Sequence, residues 1–476
     1  MVHSLVVAWG EFVFSSRMFS RSLIWGWVFL GLVVTSPGAV RPNVLLIMAD
    51  DLGFEGLSCY GSASYRTPHL DRLAAEGARF EYCYSQPLCT PTRVQIMTGR
   101  YYFRNYTEFG KLKKGERTFG HMMQAGGYRT AVAGKWQLDG AGAGQAPGEA
   151  GFDEYCLWNI KVGDVKTTRT RYADASLLHL DRRTGKPLLN EYRGAYGPDV
   201  CAQYLMDFIS NSVGEGRPFF AYYPMILTHG PFKPTPNSPV WKSGNRHQQS
   251  KKFFPDMVEY MDVLIGRLVQ HLDELGIRKN TLIIFTGDNG TPGGITTKLR
   301  DTRTIIAGKG LHRDSGTHVP LIVNWPGRIV GKQVRRELVD MSDFLPTIAD
   351  ATGAPMPDVA DDSWIIDGRS FLPPLLGRKG QPRSHVVVDY REPRQDGFGW
   401  SKARFVRDHR FKLYGFYERM HKKSKDVTVK SGHLYDTVKD PDEEHPLDLE
   451  RLSESARNAH IRLSAALSKL PPIEGR

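Results

Sequence analysis

Cysteine is scarce in this chain and never spaced as Cys-x-x-Cys. Five thiols, Cys59, Cys83, Cys89, Cys156 and Cys201, are spread over 476 residues. That excludes a disulfide-built scaffold and offers no zinc-finger spacing. If Cys89 has another use, the remaining thiols allow at most two bridges, and their pairing cannot be read from the spacing. Internal repeats and long low-complexity segments are also missing, so no repeat array is expected. Long hydrophobic runs are absent with one exception. After Arg21 an apolar stretch covers residues 23–34, short of the about 20 residues that span a bilayer. "TSPGAVRPN" follows, with small residues near Gly38 and Ala39 where a signal peptidase can cut. Residues 1–39 therefore read as an export signal, and a translation start at Met18 would give it ordinary proportions. An uncleaved anchor is the competing reading. The expected location is periplasmic, extracellular or lysosome-like, without a stable membrane anchor.

Acidic residues are outnumbered, 51 against 63 Lys and Arg, for a net charge of +12. Such a surface draws anions: nucleic acid, an anionic membrane or an acidic polymer, unless the excess is merely solvated. No RNA-recognition signature accompanies the charge, so no nucleic-acid partner is expected. The hydrophobic share of 41% and charged share of 24% are globular. The length allows one large domain and a smaller one.

From residue 41 the pattern is strand, loop, helix, repeated. "NVLLIMADD" is an unbroken apolar run ending in two carboxylates, the signature of a buried parallel strand. "TPHLDRLAAEG" reads as a helix with Thr67 as cap, Pro68 in the first turn, Leu70, Leu73 and Ala74 inward and Gly77 as stop. "FGHMMQAGG", "VCAQYLMDFISN" and "FFPDMVEYMDVLIGRLVQHLDELG" read as helices. "YRTAVAGKW", "PFFAYYPMI", "NTLIIFTGDNG" and "VPLIVNWPG" read as strands. Alternation of this kind predicts an α/β fold, a mostly parallel central sheet flanked by helices. Its sites should lie beyond the carboxyl ends of the strands. Residues 161–197 and 231–252 read as long loops shaping a pocket. After about residue 380 the strands become short and close-set: "SHVVVDY", "ARFVRD", "FKLYGF", "GHLYDT". A last helix, about residues 448–470, carries Leu449, Leu452, Ile461, Leu463 and Leu467 as apolar points. The expected division is a catalytic domain over 40–380 and a small C-terminal α+β domain, an antiparallel sheet with a terminal helix, over 381–476.

Asp50 and Asp51 end one strand, Asp288 and Asn289 another. A parallel sheet brings such ends to one rim, where three carboxylates would repel without a cation. Oxygen-only donors favour a hard ion, Ca2+ or Mg2+. A lone Asp at a strand end is more often a turn or cap residue; it is the pairing of two such ends that points to a metal. "CTPTR" places Pro91 where a helix can start and Arg93 one turn from Cys89. A group at position 89 would sit at a helix N-terminus beside a guanidinium, and both favour an anion. A buried apolar thiol is the plainer alternative.

The pentapeptide Cys89-Thr90-Pro91-Thr92-Arg93 resembles the C-x-P-x-R motif of the type I, formylglycine-dependent sulfatases. "GGYRTAVAGKW" resembles that family's second signature, and "RPNVLLIMADDLG", "TPHLDRLAAEGARF" and "MTGRY" its opening segments. "FTGDNG", "GKG…SGTHVPLIVNWPG" and "HLYDTVKDPDEEHPL" are similar to its second metal segment, its lysine loop and its C-terminal strand. The likeness runs in order over about residues 42–447. It implies an arylsulfatase-like enzyme on an alkaline-phosphatase-like sheet. It further implies that a formylglycine-generating enzyme oxidises Cys89 to an aldehyde, 3-oxoalanine. Hydrated, that aldehyde offers one oxygen to attack sulfur and keeps a second hydroxyl to expel sulfate. By the same resemblance Asp50, Asp51, Asp288 and Asn289, with the residue at 89, hold Ca2+ or, alternatively, Mg2+. Arg93 steadies the diol, Lys135 and Lys309 bind sulfate oxygens, and His229 in "LTHGPF" binds sulfate or protonates the leaving oxygen. The implied substrate is a sulfated small molecule or polysaccharide.

One departure stands out. The family's second signature continues to a His two residues after the Lys, and this chain has Gln137. Gln hydrogen-bonds but takes up no proton near neutral pH, so its role in releasing sulfate is weakened. Thr92 stands for the commoner Ser. Two other readings remain open on the sequence. One is a phosphonate or phosphate ester hydrolase of the same superfamily. The other is a non-catalytic anion-binding relative, if Cys89 is not converted.

Overall fold

A computed structural model describes residues 41–181, 184–357, 364–391, 401–420 and 427–472. The expected export signal lies outside the described residues. Among them no helix is long and apolar enough to cross a membrane.

Ten strands form the central sheet: β1 (Asn43–Ala49), β2 (Ala78–Tyr84), β3 (Arg129–Lys135), β4 (Glu154–Trp158), β5 (Ser176–Leu180), β6 (Pro187–Glu191), β7 (Phe219–Pro224), β8 (Thr281–Gly287), β9 (Leu321–Asn324) and β10 (Gln333–Asp340). Their spatial order is β10-β2-β9-β8-β1-β7-β3-β4-β5-β6. The middle run β8-β1-β7-β3-β4 is parallel, while β9 and β5 run against their neighbours. The predicted mostly parallel sheet is present. "VPLIVNWPG" belongs to it as an antiparallel strand.

Every residue of β1, β3 and β8 is buried, as expected of strands covered on both faces. Alternation divides β1 between two cores. Val44, Leu46 and Met48 face one, and Leu45, Ile47 and Ala49 the other. The first core takes the buried sides of α2 (Cys89–Thr98), α3 (Phe119–Ala125) and α6 (Phe344–Thr352). The second takes α1 (Pro68–Ala75), α4 (Gly197–Gly214) and α5 (Phe254–Glu274). Helix α1 buries Leu70, Leu73 and Ala74 as its spacing predicts, although Thr67 makes no side-chain cap bond.

Residues 161–197 are not simply a loop. They include β5 and β6, a hairpin that extends the sheet edge. Period-2 alternation in "SLLHL" is short and its partner is half polar, which hides it from a pattern reading.

The second sheet is antiparallel: β11 (Val386–Tyr390), β12 (Ser401–Arg407), β13 (Phe411–Met420), β14 (Val427–Val429) and β15 (Leu434–Asp436). Helix α7 (Glu454–Ser468) packs on it. That helix is shorter than predicted, and its inner face only partly matches the expected one. Ala456, Ala459, Leu463 and Ala466 are buried, while Leu449 and Ile461 are 47% and 61% exposed. Small alanines let the helix approach the sheet closely; Leu463 is buried with them and Leu452 and Leu467 pack against the same core, as expected, while Leu449 and Ile461 fall outside the contact.

Candidate active site

The site forms where the parallel strands end. Ala49 of β1 is in register with Gly287 of β8, so Asp50-Asp51 and Asp288-Asn289 leave adjacent strands side by side. All four are buried. Asp51 has φ 65, a left-handed conformation that is uncommon outside glycine. Its backbone N–H donates to Asp288 Oδ1 at 2.9 Å. Asn289 Nδ2 donates to Asp51 Oδ1 at 2.9 Å.

Cations close over these acids. Lys135, the last residue of β3, places Nζ 2.9 Å from Asp50 Oδ1. Lys309 Nζ lies 2.6 Å from Asp51 Oδ2. Arg93 Nη2 is 2.9 Å from Asp288 Oδ2 and 3.7 Å from Asp50 Oδ1, and its Nη1 donates to Lys135 O at 3.2 Å. Burial opposes charge on Asp50, yet Lys135, His229, Arg93 and Lys309 hold its carboxyl well below the usual range. Asp288 goes the other way. Burial and the neighbouring Asp50 charge push it up to about 7 against the pull of Arg93.

Cys89 opens α2 and is 2% exposed. Its thiol donates to Gln137 Oε1 at 3.0 Å. Burial raises the thiol above its ordinary value, and Lys135, Lys309, Asp288 and Asp50 all act on it through their charge. Thr92 fixes the turn before the helix: its Oγ1 accepts from Gln86 N–H at 3.1 Å and donates to Leu88 O at 3.0 Å. A hydroxyl suffices for both bonds, so Thr serves as Ser would.

His229 follows β7. Its Nδ1–H donates to Gly230 O at 2.6 Å, which directs the Nε2 lone pair toward Asp51 Oδ2, 3.7 Å away. Burial and the Lys309 charge lower the ring to about 4. Ligand atoms of Asp50, Asp51 and His229 all lie within 4.8 Å of one another.

Two buried oxygens in this cluster lack any partner: Asp50 Oδ2 and Asn289 Oδ1. Orphaned buried acceptors carry a desolvation cost unless something binds them. Oxygen donors of this kind fit a hard divalent cation.

The structure thus brings every sequence-predicted site residue to one rim. It adds groups that carried no motif. Glu55 is buried, accepts from Thr291 Oγ1 at 2.7 Å and leaves its Oε2 unpartnered. Thr291 Oγ1 accepts from Gly53 N–H at 3.2 Å, and Thr291 O accepts from Lys309 N–H at 3.0 Å. One threonine therefore ties together the loops bearing Asp51, Asn289 and Lys309. Tyr172 OH donates to the carbonyls of His229 and Ile226, and Arg171 Nη2 to Gly230 O at 2.7 Å. A lone acid and a "TTRTRY" stretch give no spacing signal, so only tertiary contact reveals them. All five thiols are free.

The family model described as Sulfatase matches residues 42–354. The chain belongs to the sulfatase family. A second model, N-sulphoglucosamine sulphohydrolase C-terminal, matches residues 308–468. Human arylsulfatase A is 33% identical over 390 residues, covering 75% of this chain and 71% of the relative. Mouse N-acetylgalactosamine-6-sulfatase is 29% identical over 401 residues, 76% of this chain and 72% of the relative. Among solved structures, a sulfatase from Pseudoalteromonas sp. aligns with TM-score 0.67 at 23% identity, covering 90% of each chain. A protein solved with its substrate D-glucosamine-2-N,6-O-disulfate aligns at 0.66 and 20% identity, covering 90% of this chain and 98% of the other. The fold is that of the sulfatases, alkaline-phosphatase-like. The sulfatase described here is a sulfuric ester hydrolase, as the resemblance implied.

Proposed function

We propose that this sulfatase releases sulfate from a sulfated saccharide outside the cytoplasm, using Cys89 matured to formylglycine and a calcium ion held by Asp50, Asp51, Asp288 and Asn289. One observation supports this most strongly. Cys89 heads α2 where the charges of Asp288 and Asp50 act on it, and two buried oxygens of the proposed ligand set, Asp50 Oδ2 and Asn289 Oδ1, await a partner. When bound, the ion supplies Lewis-acid polarisation of a sulfate oxygen, and the hydrated aldehyde supplies the attacking oxygen.

The chain's own residues do the rest. Lys135 is a buried cation and Lys309 a half-buried one, with one carboxylate contact each, so they can turn to sulfate oxygens as negative charge builds there. Arg93 is fixed by Asp288 and Lys135 O and keeps position 89 facing an invariant positive field. His229, anchored through Nδ1, presents Nε2 as the group that binds sulfate or, once protonated, delivers its proton to the leaving oxygen. Gln137 holds the group at position 89 by hydrogen bonding only.

The basic balance of the chain suits an anionic saccharide. So do the neighbours: one relative is named for N-acetylgalactosamine-6-sulfate, and one structure holds a disulfated glucosamine. The test compares sulfate and phosphate esters of one alcohol with protein co-produced with a formylglycine-generating enzyme. Mass spectrometry of the Cys89 peptide runs alongside. Faster sulfate release with the aldehyde present supports the reading. Faster phosphate release would favour a phosphorus-ester hydrolase, and an unconverted Cys89 would favour an anion-binding protein.

A further inference from the structure

His229 takes its orientation from the residue that follows it. Gly230 O has only lone pairs to offer, so the 2.6 Å contact makes Nδ1 the protonated nitrogen of the ring. Nε2 is thereby left facing the rim, 3.7 Å from Asp51 Oδ2. The carbonyl that does this belongs to a glycine on a loop, and a glycine backbone turns easily. What holds it comes from the segment between β4 and β5. Arg171 Nη2 donates to the same Gly230 O at 2.7 Å, which occupies the second lone pair of that oxygen. Tyr172 OH donates to His229 O and to Ile226 O. Two consecutive side chains therefore grip the carbonyls of His229 and Gly230.

The guanidinium is itself fixed. It stacks over Trp158, 4.1 Å from the ring centre, and Trp158 ends β4 in register with Lys135 of β3. Trp158 O accepts from Trp136 N–H at 3.0 Å, and Asn159 O accepts from Gln137 N–H at 3.0 Å. Arg171 thus links the strand ends that carry Lys135 and Gln137 to the loop that carries His229. A bond that only steadied the loop could fall on any of its carbonyls. This one falls on the acceptor that sets the tautomer and direction of the histidine ring, and a charged donor makes it about twice as strong as a neutral one would.

We propose that Arg171 is a positioning residue for His229: through Gly230 O it keeps Nδ1 protonated and Nε2 turned to the oxygen that leaves the sulfur. This role rests on the sulfatase reading above and names what the work of His229 in that reading depends on.

Two readouts test it, the first without turnover. Histidine-labelled protein is followed by nitrogen NMR at about pH 8, where an ordinary imidazole is neutral, and the His229 signals are those missing from His229→Ala. Wild type should show one tautomer, with the proton on Nδ1. Arg171→Met should show a mixture or the Nε2–H form, and Arg171→Lys, which keeps a charged donor, should restore most of the Nδ1–H form. An Nδ1 proton unchanged in Arg171→Met overturns the role. The second readout is sulfate release by matured protein from 4-nitrophenyl sulfate and from phenyl sulfate, whose leaving oxygen has the greater need of a proton. Arg171→Met should lower kcat about 30-fold for phenyl sulfate and less than about threefold for the nitrophenyl ester, with KM within about twofold. In the His229→Ala background it should change neither rate by more than about twofold. Equal losses on both esters, or a full loss on top of His229→Ala, mean that Arg171 acts through folding or on substrate, and overturn the role. If Arg171→Met does not fold, Arg171→Gln takes its place under the same criteria. A tautomer that depends on Arg171 without any sulfate release strikes the sulfatase reading and leaves the positioning role, and release with an unchanged tautomer does the reverse.

Discussion

At Gln137 an amide oxygen accepts the Cys89 thiol proton across 3.0 Å, but the amide cannot carry that proton away. Gln137→His should therefore raise kcat, by about 10²-fold if the new imidazole acts as base. The accompanying pH profile should gain a limb that rises through one ionisation. An unchanged kcat would show that another group already takes the proton. Glu55 gives a second prediction. Burial raises its carboxyl from 4.5 to about 6, although Thr291 donates to it. A folded value above the unfolded one means that the folded state holds its proton longer. Glu55 therefore costs stability that appears as pH rises from 4.5 through 6, on the order of 2 kcal/mol in full. Denaturation of wild type and Glu55→Gln at pH 4.5 and 7 should show the difference between them shifting by that amount in favour of the variant at pH 7. A constant difference would contradict it. The contrast also explains what the sequence discloses. Asp50, Asp288 and Cys89 were legible because each ends an apolar run or opens a motif. Glu55 and Arg171 were not, because their roles arise from contacts between segments far apart in the chain.

At the scale of elements, β3 must bring Lys135 against Asp50, and Gly134 makes that possible. It has φ +124, and a Cβ there would stand 2.0 Å from Pro224 O of β7. Gly134→Ala must either strain the backbone or part the two strands. The expected loss is about 3 kcal/mol, seen as a lower Tm and lower kcat together, whereas wild-type stability would rule out the close approach. Fully buried strands were readable from their unbroken apolar runs. Strands β2 "ARFEYCY" and β10 "QVRRELVD" were not, since charged residues alternate along half-exposed faces. Helix α7 was found with Leu463 and Leu467 inward, but Ile461 faces out, and the alanines that complete the inner face, Ala456, Ala459 and Ala466, gave no signal because small residues barely register in an apolar pattern.

Across the whole molecule, the change of texture near residue 380 marked the second sheet, but nothing in the sequence showed how it holds the catalytic loops. Arg407 of β12 meets both Asp314 carboxylate oxygens at 2.6 Å. Lys412 of β13 pairs with Glu443 at 2.7 Å and donates to His312 O. Asp314 and His312 follow Lys309 in one short segment, so the small sheet braces the lysine loop. Arg407→Met leaves Asp314 without its main partner and should cost about 3–5 kcal/mol, with sulfate release falling alongside. Full stability would mean that the brace is idle. His318, in the same segment, stacks on Phe54 and Tyr84, and burial lowers its ring to about 4. Its contribution is present above 6.5 and is lost as pH falls toward 4, since the unfolded ring gains the proton first. His318→Gln should flatten the acid limb of the stability curve, and an identical limb would contradict that.

The most direct measurement is sulfate release from an aryl sulfate by protein matured with a formylglycine-generating enzyme, compared with Cys89→Ala and with chelator-treated enzyme. The matured protein should release sulfate, Cys89→Ala should release none above background, and chelation should abolish release until calcium restores it. Equal release by Cys89→Ala, or release indifferent to chelator, would contradict it.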